Sequence, residues 1–248
     1  AFEQAAKDAR GKPGNLSYNL ARVYFQTGKH DEALTQLQKY FDGQLQSKGR
    51  AAYVLLADIL KATKKSDELI GRLETLAKKD ARNALLQLFL ADQYLAAKRL
   101  DDAEAMYKTA LKSSTEMSGY LGLAAVYRQQ KRPAELIQAL AKGFGGTRSP
   151  EQLAANLGKL ETEMKAIQED EKLLDSLIAA GREMSKGDNP KLDFNGSFIL
   201  GKLAGDAKKI DAAVELYRFA LKARADRAGA VYSELGSLLL ENEKYGQA

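Results

Sequence analysis

Cysteine and tryptophan are missing from this chain, and His30 is its only imidazole. Without thiols there is no disulfide, no thiolate zinc site and no cysteine nucleophile, and one histidine cannot build a histidine-rich metal cluster. Proline is scarce, with 4 residues in 248. Long apolar runs are lacking as well: Lys, Asp or Gln breaks each stretch well before the roughly 18 residues that a membrane helix needs. What is present is 45% hydrophobic and 29% charged residues, enough for a folded core and incompatible with a disordered or collagen-like chain. Near-continuous Ala, Leu, Lys, Glu and Gln favours helix over strand, so the expectation is an all-α protein. The missing thiols suit a cytosol and a periplasm equally well.

A leucine followed by a small residue recurs along the chain, at Leu20-Ala21, Leu56-Ala57, Leu90-Ala91, Leu123-Ala124, Leu157-Gly158, Leu200-Gly201 and Leu235-Gly236, with steps of 36, 34, 33, 34, 43 and 35 residues. Three residues beyond the small one stands Tyr24, Leu60, Tyr94 or Tyr127, and twelve beyond it Ala33, Leu69, Ala103, Leu136, Ala213 or Ala248. Each period therefore holds two helices, with the small residue where the paired helix approaches closely. Between them lies a short polar joint, such as residues 27–32, 63–68 and 98–102, in which Gly28 closes one helix and Asp31 is expected to cap the next. Segments such as residues 78–83 and 112–114 then reset the chain for another pair.

At this period, the run Ser17-Tyr18-Asn19-Leu20-Ala21-Arg22-Val23-Tyr24, followed by Gly28 and Asp31-Glu32-Ala33-Leu34, resembles the tetratricopeptide repeat family. So do Leu90 to Tyr94 with Asp101-Asp102-Ala103 and Tyr107 to Leu111, and Asp211-Ala212-Ala213 with Tyr217 to Leu221. The resemblance covers most of the chain, with two departures. The family's tryptophan position is held by Ser17, Tyr53, Gln87, Tyr120 and Tyr232, and its closing proline is mostly missing. The resemblance implies a right-handed superhelical solenoid of helix-turn-helix repeats, one array over 1–248 with repeats at 15–48, 51–83, 84–116, 117–149 and 194–227. Residues 1–14 would end a preceding repeat and 229–248 would be a truncated one, so a fragment of a longer protein is expected. The unit at 150–193 is a degenerate repeat. It starts at Ser149-Pro150-Glu151-Gln152, has Asp170 where the family wants a small apolar residue, and carries its extra residues as a long loop near Gly187 to Pro190. It is expected to alter the curvature of the array or break it into two arms.

No pattern points to catalysis, and none to a metal or cofactor. His30 reads as an exposed turn residue. Asp101-Asp102 and Glu169-Asp170-Glu171 sit at predicted helix starts, where the helix dipole stabilises negative charge. The glycine-rich stretch Gly143 to Thr147 lacks the lysine and spacing of a phosphate loop, and reads as a long turn between repeats. Charge is uneven: residues 1–150 hold 24 basic and 16 acidic residues, and residues 151–248 hold 14 and 17. Acidic residues interrupt nearly every basic cluster, so a mixed solvated surface accounts for the bias.

In the family that the chain resembles, the first helix of each unit lines a concave groove that takes extended or helical segments of partner proteins. Carried over position by position, the candidates are Asn15, Tyr18, Arg22, Phe25 and Gln26 in the first unit and Val54, Asp58 and Lys61 in the second. The third contributes Leu88, Asp92 and Leu95, the fourth Leu121, Ala125 and Arg128, and the fifth and sixth Lys159, Phe198 and Lys202. An apolar strip interleaved with charge is a reasonable docking surface. Asp58 and Asp92 occupy equivalent positions, and burial would leave either uncompensated. The Lys and Asn clamp by which some relatives hold a terminal carboxylate is not matched, because Tyr18, Arg22 and Leu55 stand at its positions. The expected function is thus a non-enzymatic scaffold for a protein or peptide segment. One alternative is an RNA-binding helical repeat using the basic first arm, disfavoured because the base-reading positions vary among Leu, Val and Tyr. Another is the regulatory arm of an enzyme whose catalytic module lies elsewhere.

Overall fold

A computed structural model describes residues 13–43, 49–145, 150–187 and 189–241, with side chains from residue 16 in the first stretch and from residue 158 in the third. The described residues are helical throughout and contain no strand. They fall into two compact units, 1–114 and 115–248. In the first unit, α1 (Pro13–Gln26) pairs with α2 (His30–Gly43), α3 (Ala51–Ala62) with α4 (Glu68–Lys79), and α5 (Ala84–Ala96) with α6 (Leu100–Ala110). Each pair packs on the next through α2 against α3 and α4 against α5. In the second unit, α7 (Met117–Gln129) pairs with α8 (Pro133–Gly145), α9 (Pro150–Gln168) with α10 (Glu171–Met184), and α11 (Phe194–Asp206) with α12 (Ile210–Ala223). A 3-10 turn (Ala225–Arg227) then leads into α13 (Ala228–Glu241).

The repeating small residue does the work expected of it in most hairpins. Ala21, Ala91 and Ala124 have no exposed surface, and sixteen residues after each small residue comes a large side chain on the partner helix: Leu37, Leu73, Tyr107, Leu140 or Tyr217. All five are buried, so each hairpin is closed by one small residue and one large one filling the space between its helices. At Gly201 the approach admits no larger residue: a Cβ would stand 2.8 Å from Cε1 of Tyr217.

Seven residues after the small residue, five turns share one backbone. Gly28, Lys64, Lys98, Lys131 and Lys208 all adopt positive φ, between 57° and 76°. In each turn that residue's N–H donates to the carbonyl three back, and the next N–H donates to the carbonyl five back, as in Lys64 to Lys61 (3.1 Å) and Lys65 to Leu60 (2.7 Å). This is the Schellman closure, which satisfies two carbonyls at the helix end. Only Gly28 adopts the conformation without steric conflict at Cβ; the four lysines hold it at some expense.

Several local expectations are corrected. Pro13 and Gly14, expected at the end of the preceding repeat, instead open α1, where the fixed φ of proline suits the first helical turn. Asp31 lies inside the first turn of α2 with Glu32 and acts there on the helix dipole rather than as a cap. Gly143 and Gly145 are helical, in α8, and Gly143 sits where a Cβ would stand 3.2 Å from Tyr120 Cβ; Gly146 and Thr147 lie outside the described residues. Asp170 caps α10 by accepting from the Leu173 N–H (3.0 Å). Gly158 is exposed with no atom within 4 Å of a Cβ built on it, so it is not a point of helix approach. The reason is length: α9 has 19 residues and runs through the position at which the other first helices turn. The close approach of α10 is made instead to the next hairpin, at Gly181, where a Cβ would lie 2.6 Å from Leu200 Cδ1 of α11. The extra chain between α10 and α11 covers residues 185–193, tied down by N–H groups of Lys191 and Leu192 on the Met184 carbonyl (2.7 and 3.1 Å). The proposed start at Ser149, the segment 1–7 and the chain end at Ala248 lie outside the described residues.

Candidate functional site

The first-helix faces were the expected docking surface, and packing divides their residues into three groups. The exposed group lies in the first unit: Arg22 and Gln26 on α1, and Val54, Asp58 and Lys61 on α3. Val54 keeps 43% of its surface exposed, unusual for an aliphatic side chain on a helix whose other large apolar residues are buried. Val54, Asp58 and Lys61 follow one another at helical spacing, so one face of α3 offers an apolar centre followed by an acid and a base.

A second group is half-buried against neighbours. The Tyr18 ring lies 5.5 Å from that of Tyr40, with the Arg22 guanidinium 6.0 Å from its centroid. Phe25 lies 5.6 Å from the His30 ring. Leu95 is half-buried on α5. In the second unit Phe198 touches Phe144, Phe194 and Tyr217 at 5.8 to 6.2 Å, and Lys202 reaches Glu234 (3.2 Å). Lys159 is exposed, and the Asn15 side chain lies outside the described ones.

The third group is withdrawn from any partner. Leu88 (1% exposed), Leu121 (3%) and Ala125 (7%) are core, because those turns of α5 and α7 face other helices. Asp92 is part-buried but not uncompensated: it accepts from the Tyr107 hydroxyl (2.6 Å) and is salt-bridged to Arg50 at the start of α3. Arg128 holds Glu163 of α9 through Nε (2.9 Å) and Nη2 (3.3 Å), and that bond raises the guanidinium pKa above its ordinary value.

The structure also explains the groups that resembled chemistry. His30 is half-buried rather than exposed, with its ring against Phe25 and its Nδ1 buried without a hydrogen-bond partner. Asp102 accepts from Arg99 Nε (2.7 Å), and Glu171 is 3.3 Å from Lys209. Among the described residues no group of three or more His, Asp or Glu is placed to hold a metal ion. No helix is long and apolar enough to cross a membrane among the described residues.

Other polar links escaped sequence reasoning. Tyr94 donates to Glu74 Oε1 (2.7 Å) across from α4, with Arg99 stacked 4.5 Å over its ring. Burial, then the bond to Glu74, pushes the Tyr94 hydroxyl up to about 12. Tyr53 is buried and accepts from Asn83 Nδ2 (3.0 Å), and Asn83 in turn caps α5 through the Leu86 N–H (3.1 Å). The four positive-φ lysines were signalled in the sequence by a dibasic pair after each first helix: 64–65, 98–99, 131–132 and 208–209.

The tetratricopeptide repeat model matches residues 16–39, the first hairpin with its Gly28 turn. No curated protein matches the chain. Among solved structures it is similar to a tetratricopeptide repeat protein from Parabacteroides merdae, at 14% identity and a TM-score of 0.46, over 96% of this chain and 90% of that one. The family's model is met on the first hairpin, and the same turn recurs in later hairpins, at Lys64, Lys98, Lys131 and Lys208.

Proposed function

We propose that the chain is an interaction scaffold whose first unit docks a protein segment along the exposed first-helix faces of α1 and α3. The observation that carries this reading is Val54, an exposed aliphatic side chain flanked by Asp58 and Lys61 on its own helix, with Arg22 and Gln26 exposed on α1. An apolar centre ringed by charge is the usual anatomy of a protein interface. Leu88, Leu121 and Ala125 have no place in the docking strip, and Asp92 and Arg128 serve their neighbours instead. The strip therefore centres on α3. Tyr18 and Phe25 form its edge.

Peptides selected from a random library on the intact chain test the reading. Their affinity is expected to fall by about tenfold or more with Val54→Glu, and by a smaller factor with Asp58→Ala, each variant keeping its helicity and thermal midpoint. Peptides that bind both variants as tightly as the parent chain would refute it.

A further inference from the structure

The outer faces of the first two hairpins are separated by a cleft of about 450 Å³ between α2 and α4, on the second helices rather than on the first-helix strip. Leu37, Phe41 and Leu56 are buried and lie along the cleft, Leu34 and Leu76 form half-buried walls, and Gly71 leaves a gap in the α4 side. A Cβ built on Gly71 would meet nothing within 4 Å.

Comparison with the next joint explains why this one stays open. Between the second and third hairpins, Glu74 accepts from Tyr94 (2.7 Å) and Arg99 (3.4 Å), bridging the equivalent space. Counted from the small residue of each hairpin, the counterparts of Glu74, Tyr94 and Arg99 are Gln38, Leu60 and Lys65. Leu60 has no hydroxyl to donate, and Gln38 turns along its own helix to Asp42 (3.1 Å). The bridging chemistry is missing, so the half-buried Leu34 and Leu76 keep apolar surface exposed beside Phe41, while Leu37 is fully covered.

The α4 wall sets the charge of what fits. Arg72 and Lys79 stand two turns apart on one face of α4, with the Thr75 hydroxyl between them donating to the Gly71 carbonyl (2.9 Å). Arg72 pairs with Glu68 on its own helix (2.7 Å), and Lys79 reaches Asp42 (3.3 Å) at the C-terminal ends of α4 and α2. The Lys79–Asp42 pair is more than half exposed, and surface pairs of this kind contribute little, so an incoming anion can exchange for Asp42 at Lys79 and share Arg72 with Glu68, which also lines the cleft. Residues 1–114 also hold 19 basic against 14 acidic residues, which favours an anion over a cation. The volume lies within the about 300–1,000 Å³ of small-molecule sites, and the Asp42–Lys79 bridge spans one end, which suits a small ligand better than a through-going chain segment.

We propose that this cleft binds a free amphipathic carboxylate, with its apolar body on Leu34, Phe41 and Leu76 and its acid head on Arg72 and Lys79. Calorimetric titration of the intact chain with octanoate, alongside octan-1-ol, tests it. Saturable one-to-one binding of octanoate is expected, about tenfold tighter than octan-1-ol because only the acid meets the two cations. Gly71→Leu fills the gap at an exposed helical position without a clash, so it should weaken octanoate by about tenfold or more while the thermal midpoint holds or rises. A double Arg72→Ala, Lys79→Ala variant should bind octanoate no better than octan-1-ol. Absence of saturable binding, equal affinity for the alcohol, or octanoate binding unchanged by Gly71→Leu or by the double variant would overturn the proposal.

Discussion

The two units solve the same packing problem with different residues. In the first, alanine makes the close approach within hairpins and rings connect one hairpin to the next: Phe41 stacks on Tyr53 at 5.6 Å, and Tyr53 tilts against Phe89 at 5.9 Å. No glycine with described surroundings in that unit has an atom within 4 Å of a Cβ built on it. The second unit keeps alanine at Ala124 and adds glycine at other close approaches, at Gly143, Gly181, Gly196, Gly201 and Gly205, each with a neighbour at 3.2 Å or less from its built Cβ. A ring interface yields when a side chain shifts. At these glycines a neighbour's side chain is seated against the helix backbone, which leaves less room for added volume. The second unit should therefore be the less tolerant of added volume.

The largest expected effect breaks that comparison where glycine faces an aromatic ring. Gly201→Leu places side-chain atoms where the Tyr217 ring already lies, and should destabilise the second unit by about 3 kcal/mol or more in chemical denaturation. Ala91→Gly, at the equivalent site in the first unit, should lose only about 1 kcal/mol, through helix propensity. Comparable losses at both sites would show that glycine and alanine are interchangeable in this role. Next in size is Asp92→Ala, which leaves the buried Tyr107 hydroxyl and Arg50 without their shared acceptor. A loss of about 1–3 kcal/mol is expected, with Asp92→Asn recovering part of it.

The period was legible because it depends on single residue types at fixed distances: a small residue, a turn seven later and a large side chain sixteen later. What lay between was harder to read. Leu88 and Val54 are both aliphatic residues on first helices, yet one is core and the other exposed, because the outcome depends on which neighbouring helix covers each turn. Asp92 and Asp58 occupy equivalent positions, but only Asp92 has an arginine brought to it from 42 residues away. Gly158 kept the leucine-small pattern while α9 ran on past the turn that gives the pattern its meaning.

Two smaller effects sharpen the contrast. The Tyr94 hydroxyl has a folded pKa near 12, above its ordinary 10.0, so its contribution to the first unit is fully present below pH 10 and is lost as pH rises through the folded value. Tyr94→Phe should flatten that alkaline loss in thermal melts, whereas Tyr53→Phe should leave its slope in place. The smallest effect is a gain. Lys98→Gly and Lys131→Gly, one in each unit, relieve the positive-φ backbone and should each add up to about 1 kcal/mol in denaturant titrations, regardless of how the flanking helices pack.

The Asp92 carboxylate has a consequence for how the first unit opens. It receives the Arg50 side chain from the leading edge of one hairpin and the Tyr107 hydroxyl from the second helix of the next. In a linear array, stability is the sum of each hairpin's own folding and its coupling to neighbours, and this one acceptor contributes to both terms. Amide hydrogens at the start of α3 and in α6 should then exchange with deuterium at matched rates in the native protein, and drift apart once the shared acceptor is gone.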